Sequence, residues 1–340
     1  MSLKQRILAF TKTGLFIIEH YGARRESENI LHQGLDKVID EACLQNPWFT
    51  QTFVKESLLS LASMLSEEEL QKLCEQKETN EQKTVALICA GNIPCVAFHD
   101  VLCTLLSGHT ALIKLSSDDA LLLPFFLKLL VHYEPSLEQN IRFTDRKMNG
   151  FDAVIATGSN NSAQYFEQYF GKYPHIIRKN RSSVAILDGS ESKEDLKALG
   201  RDIFLYFGLG CRNVSKLLVP KEYQFDLFFE SIVDYAFVVS NNKYANNYEY
   251  QRAILLLESE KFLDNNFLIL RNSANIHAPT GCLYYENYND KNDLASYLKQ
   301  HENEIQCIVG KGYTPFGYSQ SPVITDFADG INTWDFLVSL

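Results

Sequence analysis

A glycine-flanked cysteine stands in the stretch Phe207-Gly208-Leu209-Gly210-Cys211-Arg212-Asn213-Val214. It follows a helical pattern over residues 193–206 and precedes the apolar run Leu217-Leu218-Val219. Glycine has no Cβ and accepts unusual dihedrals, so the backbone on either side of Leu209 can pass close to a bound molecule. A thiol at such a junction, with a backbone N–H beside it, suits a nucleophile that attacks a carbonyl. It must be partly ionised for that, which Arg212 or nearby helix N-termini favour. The competing reading is a buried cysteine beside a loop, because cysteine is among the most buried residue types.

Three other stretches offer binding chemistry. Ala90-Gly91-Asn92-Ile93-Pro94 presents an Asn amide on a tight turn at a helix start. Lys114 ends an apolar run and is followed by Ser116 and Ser117. Thr157-Gly158-Ser159 opens a helix whose free N–H groups and dipole favour an anion. Singly these are ordinary caps and turns. Jointly they suggest a dinucleotide site, although the Gly-x-Gly-x-x-Gly fingerprint is not found. Cys95, His99 and Cys103 share one face of the expected helix at i, i+4 and i+8. Three residues over two turns cannot all reach one ion, and zinc wants four converging ligands, so no metal site is expected. His99 with Asp100 reads as structural. Arg178, Lys179 and Arg181 suit either phosphates or a solvated strand edge.

The elements that position these residues follow from the apolar pattern. Residues 1–83 read as helical, with amphipathic stretches at Ile7, Phe10, Ile17 and Ile18 and at Ile30, Leu31, Leu35, Val38 and Ile39. Helices are also expected over residues 54–65 and, after Ser66 with Glu69 as a capping box, to Cys74; residues 75–83 read as a charged connector. From Thr84 the pattern changes. Val85-Ala86-Leu87-Ile88-Cys89, Ala111-Leu112-Ile113-Lys114-Leu115, Ala153-Val154-Ile155-Ala156 and Val184-Ala185-Ile186-Leu187 are strand-like runs separated by helical segments. Such alternation is the signature of a parallel sheet covered on both faces, and its ligands bind at the carboxyl ends of the strands.

Composition narrows the function classes. The 340 residues are 46% apolar, enough for two sizeable cores. A net charge of −10 argues against a nucleic-acid partner. The eight cysteines show no paired short spacing and no signal peptide precedes them, so reduced thiols of a cytoplasmic protein are expected. No apolar run is long enough to be a transmembrane segment; the longest, residues 120–131, is broken by Pro124 and Lys128.

In their order, Gly91-Asn92-Ile93-Pro94, Ile113-Lys114-Leu115-Ser116, Thr157-Gly158-Ser159 and Gly210-Cys211 resemble the motifs of the aldehyde dehydrogenase superfamily. Within it the chain is most similar to the long-chain acyl-CoA reductases, the family of the fatty-acid reductase component of bacterial luminescence. That closer match rests on Phe98-His99-Asp100, Phe170-Gly171-Lys172-Tyr173-Pro174, Ile177-Arg178-Lys179-Asn180-Arg181 and Asp326-Phe327-Ala328-Asp329-Gly330. The resemblance covers residues 84–340. It implies an α/β, aldehyde-dehydrogenase-like fold with a helical region over residues 1–83, a parallel-sheet NADP-binding domain over 84–187 and an α/β catalytic domain over 188–340.

The same resemblance implies roles. Cys211 attacks an acyl-CoA or another acyl thioester, and the Asn92 amide with the Cys211 N–H holds the oxyanion, each such donor being worth roughly 3–4 kcal/mol. Lys114 binds the adenine-side ribose, Thr157, Gly158 and Ser159 lie against the pyrophosphate, and Glu286 matches either the Glu that holds the nicotinamide ribose or a surface strand-end Glu. Ser117 stands where an acidic residue favours NAD, which implies NADPH. Two departures matter: the general-base Glu falls on Ile177, and Leu209-Gly210 replaces the usual Gly-Gln. The expected reaction is therefore reduction to an aldehyde. The alternatives are a hydrolytic aldehyde dehydrogenase and a catalytically silent acyl-binding subunit. A homo-oligomer and an acyl-transferring partner protein are further expectations.

Overall fold

The computed structural model describes residues 1–23, 25, 28–74 and 81–340, so residues 75–80 of the expected connector lie outside the described residues. The chain forms two compact units, residues 1–179 with 322–340, and residues 180–321.

In the first unit four helices come first: α1 (Leu3–Tyr21), α2 (Ile30–Gln45), α3 (Gln51–Met64) and α4 (Glu67–Cys74). Ser2 and Gln5 form a reciprocal box at the start of α1, and Ser66 Oγ accepts the Glu69 N–H at 3.2 Å ahead of α4. Ile7, Phe10 and Ile17 of α1 share one core with Phe98, Phe126 and the strand residues Val85, Leu87 and Ile113. Residues 1–83 therefore belong to the same compact unit as the sheet that follows.

That sheet comes from β1 (Thr84–Ile88), α5 (Phe98–Leu106), β2 (Thr110–Lys114), α6 (Leu122–Tyr133), β3 (Ile141–Phe143), β4 (Ala153–Thr157), α7 (Asn160–Phe170) and β5 (His175–Arg178). Its five strands are all parallel in the order β3-β2-β1-β4-β5. Val85, Ala86, Leu87, Val154 and Ile155 are fully or almost fully buried, which is why the central strands read as continuous apolar runs. The winding reverses between β1 and β4, the place where open α/β sheets take ligands at their carboxyl ends.

The helix expected from Pro94 begins only at Phe98. Cys95 lies in the left-handed region at φ 56°, and its N–H donates to the buried Asp119 carboxylate at 2.7 Å. Ser57 Oγ donates to the Pro94 carbonyl at 2.6 Å. Cys95 is thus off the α5 face that carries His99 and Cys103. Burial pushes the Asp119 carboxyl up to about 6.

Residues 322–340 return to this unit and end in a short helix, Thr333–Val338. Arg178 is buried and donates to the Asp100 carboxylate and, at 2.8 Å, to Thr333 Oγ1. His109 Nδ1 accepts the Lys83 N–H at 3.1 Å, so its Nε2 carries the proton donated to the Leu337 carbonyl at 2.8 Å. His99 Nε2 donates to the Ile324 carbonyl at 2.8 Å. Arg178 is accordingly a structural ion pair, neither of the two roles expected of it.

The second unit holds β6 (Ser182–Ile186), α8 (Lys193–Phe204), β7 (Val214–Pro220), α9 (Asp226–Ser231), α10 (Asn242–Leu257), β8 (Leu263–Asp264), β9 (Ile269–Asn272), β10 (Cys282–Tyr288), α11 (Lys291–Gln300) and β11 (Ile305–Val309). Its sheet runs β11-β6-β7-β10-β9-β8, parallel except for β8 with β9. β6 is the strand expected at residues 184–187. It pairs with β7 and β11, so the change of sheet falls before Asn180 and not at the expected boundary of residue 187.

Two predictions follow from the anchors of the first unit. Arg178→Ala leaves Asp100 without its countercharge and should lower the unfolding free energy by about 3–5 kcal/mol in urea titration. The Asp100→Ala/Arg178→Ala pair should recover part of that loss; a cost below about 1 kcal/mol for Arg178→Ala contradicts the assignment. The native Asp119 carboxyl titrates near 6 instead of 3.8, so the native state holds this proton more tightly than the unfolded chain does. Stability should therefore fall as pH rises from about 4 to 6. Asp119→Asn should remove that slope, an effect on the order of 3 kcal/mol across the window; parallel pH profiles for the two proteins would refute it.

Candidate active site

In the first unit the expected residues collect on the carboxyl edge of the sheet. Asn92 is exposed on the loop between β1 and α5. A Cβ on the neighbouring Gly91 would lie 2.6 Å from Ser116 Oγ and 2.9 Å from the Asp119 nitrogen, so only glycine lets the β1 loop seat on the β2 loop. Lys114 is the exposed last residue of β2, and Ser117 is exposed at the start of a one-turn helix, Ser117–Asp119. Thr157 ends β4, Gly158 follows, and Ser159 caps α7 by accepting the Ser162 N–H at 3.1 Å. A Cβ on Gly158 would meet Ser162 Cβ at 2.9 Å.

This edge also carries cations that the sequence reading left unassigned. β3 lies beside β2, and the Thr144 N–H donates to the Ile113 carbonyl at 2.9 Å, which sets the next turn beside Lys114. Arg146 and Lys147 are exposed on that turn, and Thr144 Oγ1 accepts the Arg146 N–H at 3.2 Å. Asp118 and Asp145 are the exposed carboxylates nearest in the chain. Ile177, where the resemblance implied the superfamily's base, is half-buried and pairs in register with Ala156 of β4.

In the second unit Cys211 is exposed on the turn between α8 and β7. The helix stops at Phe204, and three successive residues then take left-handed backbone, Tyr206 (φ 54°), Phe207 (φ 56°) and Gly208 (φ 76°). Such backbone costs non-glycine residues of order 1–3 kcal/mol each and persists only where its surroundings enforce it. Asn213, 2% exposed, does so. Its Nδ2 donates to the carbonyls of Asp202 at 3.0 Å and Leu205 at 2.8 Å, and its Oδ1 accepts the Gly210 N–H at 2.8 Å. Those carbonyls are ones a helix end leaves without partners. The buried Asp202 carboxylate in turn accepts the Gly317 N–H at 2.6 Å and the Ser319 N–H at 2.9 Å; burial pushes its carboxyl up.

Two further side chains of this unit have defined partners. Glu286 is ion-paired with the fully buried Lys216, which also donates to the Ala274 carbonyl at 3.1 Å and lies 4.9 Å from the Tyr297 ring centroid. Burial pushes the Lys216 ammonium down, and Glu286 opposes that. In register Glu286 faces Leu218, four residues or about 13 Å along β7 from Val214. Its carboxylate is paired with Lys216, so the structure places Glu286 as a half-exposed strand residue held in an ion pair. His277, which the sequence reading passed over, is exposed with Nδ1 2.7 Å from Ser182 Oγ at the start of β6. A lone histidine between apolar runs has no sequence signature; only strand pairing brings it there.

The family model acyl-CoA reductase (LuxC) matches residues 27–227. No curated protein sequence matches. Among solved structures, an NADP-dependent enzyme of E. coli is similar over 91% of this chain and 73% of its own, with a TM-score of 0.68 at 12% identity. A Mycobacterium tuberculosis aldehyde dehydrogenase complexed with NAD+ gives 0.65 at 12% identity over 91% and 73%. A Pseudomonas syringae aldehyde dehydrogenase complexed with NAD+ and octanal gives 0.63 at 11% identity over 91% and 72%. At such identity the likeness speaks for the fold alone, an aldehyde-dehydrogenase-like α/β architecture. With a family model covering more than half of its length, the chain belongs to the acyl-CoA reductase (LuxC) family, oxidoreductases that act on acyl or aldehyde groups.

Proposed function

We propose that this chain reduces an acyl-CoA, or another acyl thioester, to the aldehyde through an acyl-enzyme on Cys211, with NADPH as reductant. The observation that carries the reading is the exposed Cys211 on a turn held rigid by Asn213. The Cys211 sulfur adds to the thioester carbonyl, the C–S bond to coenzyme A breaks, and the acyl group stays on the enzyme. The Cys211 N–H and the exposed Asn92 amide are the proposed donors to the acyl oxygen, and the Asp119 and Ser57 contacts fix the backbone that carries Asn92. When bound, the nicotinamide cofactor supplies the hydride.

The first unit suits a dinucleotide. Its strand order puts the switch point between β1 and β4, where Gly91 and Gly158 leave no room for a Cβ and the α7 N-terminus offers N–H groups. Lys114 is proposed for the adenine-side ribose, and Thr157, Gly158 and Ser159 for the pyrophosphate. Uncharged Ser117, with Arg146 and Lys147 on the adjacent turn, supports a 2′-phosphate at the end of β2.

A homo-oligomer, an acyl-transferring partner protein and a cytoplasmic location belong to the same proposal. Leu8, Leu15 and Ile18, exposed along one side of α1, suit a protein contact. No helix among the described residues is long and apolar enough to cross a membrane.

Two outcomes are expected. Cys211→Ala should abolish aldehyde formation while NADPH affinity, read by fluorescence titration, changes less than about twofold, since uniform binding and chemistry separate in such a variant. Substantial residual turnover would remove Cys211 from the mechanism. NADPH should bind more tightly than NADH, and Arg146→Ala should cost NADPH roughly tenfold, as for one charge-assisted hydrogen bond, with NADH unchanged. Tighter NADH binding by the unaltered protein would overturn the cofactor choice.

A further inference from the structure

One titratable side chain at the Cys211 end of the second sheet has no role in the scheme above. β6 begins with two serines whose hydroxyls hold different segments. Ser182 Oγ lies 2.7 Å from His277 Nδ1. Ser183 Oγ donates to the Cys211 carbonyl at 3.1 Å, and the Ser183 N–H donates to the Asn213 carbonyl at 3.1 Å. On β7, Ser215 Oγ donates to the Ile276 carbonyl at 2.7 Å, which fixes the residue before His277. Three serines on adjacent strands therefore tie the Cys211 turn and the histidine segment to the same sheet end, Ser182 and Ser183 from its two faces. Both Cys211 and His277 are exposed there.

We propose that His277 is the proton carrier for Cys211. In the tautomer this requires, Nδ1–H donates to Ser182 Oγ, so Nε2 presents its lone pair; a base oriented by a third group is the usual arrangement beside an activated nucleophile. Nε2 takes the Cys211 thiol proton as the sulfur bonds to the thioester carbon. When the bond to coenzyme A breaks, the same proton passes from His277 to the departing coenzyme A sulfur. Hydride addition to the acyl carbon and cleavage of the carbon–Cys211 bond then release the aldehyde and return the thiolate. His277 delivers one proton from solvent to that thiolate. The sum is one hydride and one proton consumed for each acyl-CoA. With Ile177 at the superfamily's base position, this chain otherwise lacks an assigned base.

The charged and titratable groups on the segments next to Cys211 and Ser182 have partners of their own. Arg212, beside Cys211, donates to the Ser319 carbonyl at 3.4 Å. Arg181 donates to the Glu302 and Ile305 carbonyls, at 3.4 and 3.3 Å. His301 and Glu304 pair at 3.0 Å, and the Glu304 carbonyl accepts the Ser182 N–H. Lys216 is paired with Glu286 further along the sheet.

The proposal rests on Cys211 being acylated, and the test separates the two. The full chain, His277→Gln and Ser182→Ala are alkylated with iodoacetamide across pH 5–10, with modification of the Cys211 peptide followed by mass. Cys211 of the unaltered protein should react faster below the range of an unassisted thiol than Cys211 of His277→Gln, whose modification should rise only as the free thiol ionises. Single-turnover acylation by an acyl-CoA at pH 7 should slow by roughly 10²–10⁴-fold in His277→Gln. Ser182→Ala, which frees the ring, should slow it less. Superimposable alkylation profiles with equal acylation rates overturn the role of His277 while leaving the acyl-enzyme intact. Failure of the unaltered protein to acylate at Cys211 rejects the underlying reading instead.

Discussion

The side-chain amide of Asn213 holds together the turn on which the proposed chemistry of the second unit depends. A helix that ends at Phe204 leaves carbonyls without partners, and the chain then takes three left-handed residues before it reaches Cys211. One buried amide meets both needs, donating to two carbonyls of the helix end and accepting the Gly210 N–H. Asp202 secures the same helix end from the other side through Gly317 and Ser319. The strain is thus confined and the thiol is presented on fixed backbone. A nucleophile gains from that because no reorganisation is needed at the moment of attack.

The first unit solves a parallel problem with a carboxylate. The Asn92 loop departs from helical geometry at Cys95, and Asp119 accepts the N–H that this departure exposes. Burial of that carboxylate raises its pKa, so the loop is anchored by a group whose charge is only marginally tolerated. Arg178, His99 and His109 fix the C-terminal segment by hydrogen bonds to side chains and carbonyls that need directed donors. Their chemistry resembles that of ligand-binding residues, yet their partners lie within the fold.

Much of this architecture was legible in the sequence because its driving forces are local. β1, β2 and β4 appear as apolar runs since both of their faces are buried, and Ser159 announces α7 because an N-cap uses a neighbouring N–H. β3 and β5 escaped notice for a physical reason: three and four residues are too few to carry a period, and their pairing is non-local. The same holds for the return of residues 322–340 to the first unit and for the change of sheet before Asn180. At the candidate site, the glycines around Cys211 singled it out in the sequence, whereas Asn213 looked like an ordinary polar residue. The Lys216 partner of Glu286 was invisible because nothing in either strand's own sequence shows that the two side chains meet. His277 was silent because its significance comes from a serine 95 residues away in sequence.

The central claim is a thioester on one sulfur, and trapping it is the most direct test. Protein incubated with an acyl-CoA and no reductant, digested and analysed by mass, should carry the acyl group on the peptide containing Cys211. NADPH added before digestion should discharge that adduct as aldehyde. An adduct on a different cysteine, or rapid release of the free acid with no adduct and no cofactor, would contradict the account.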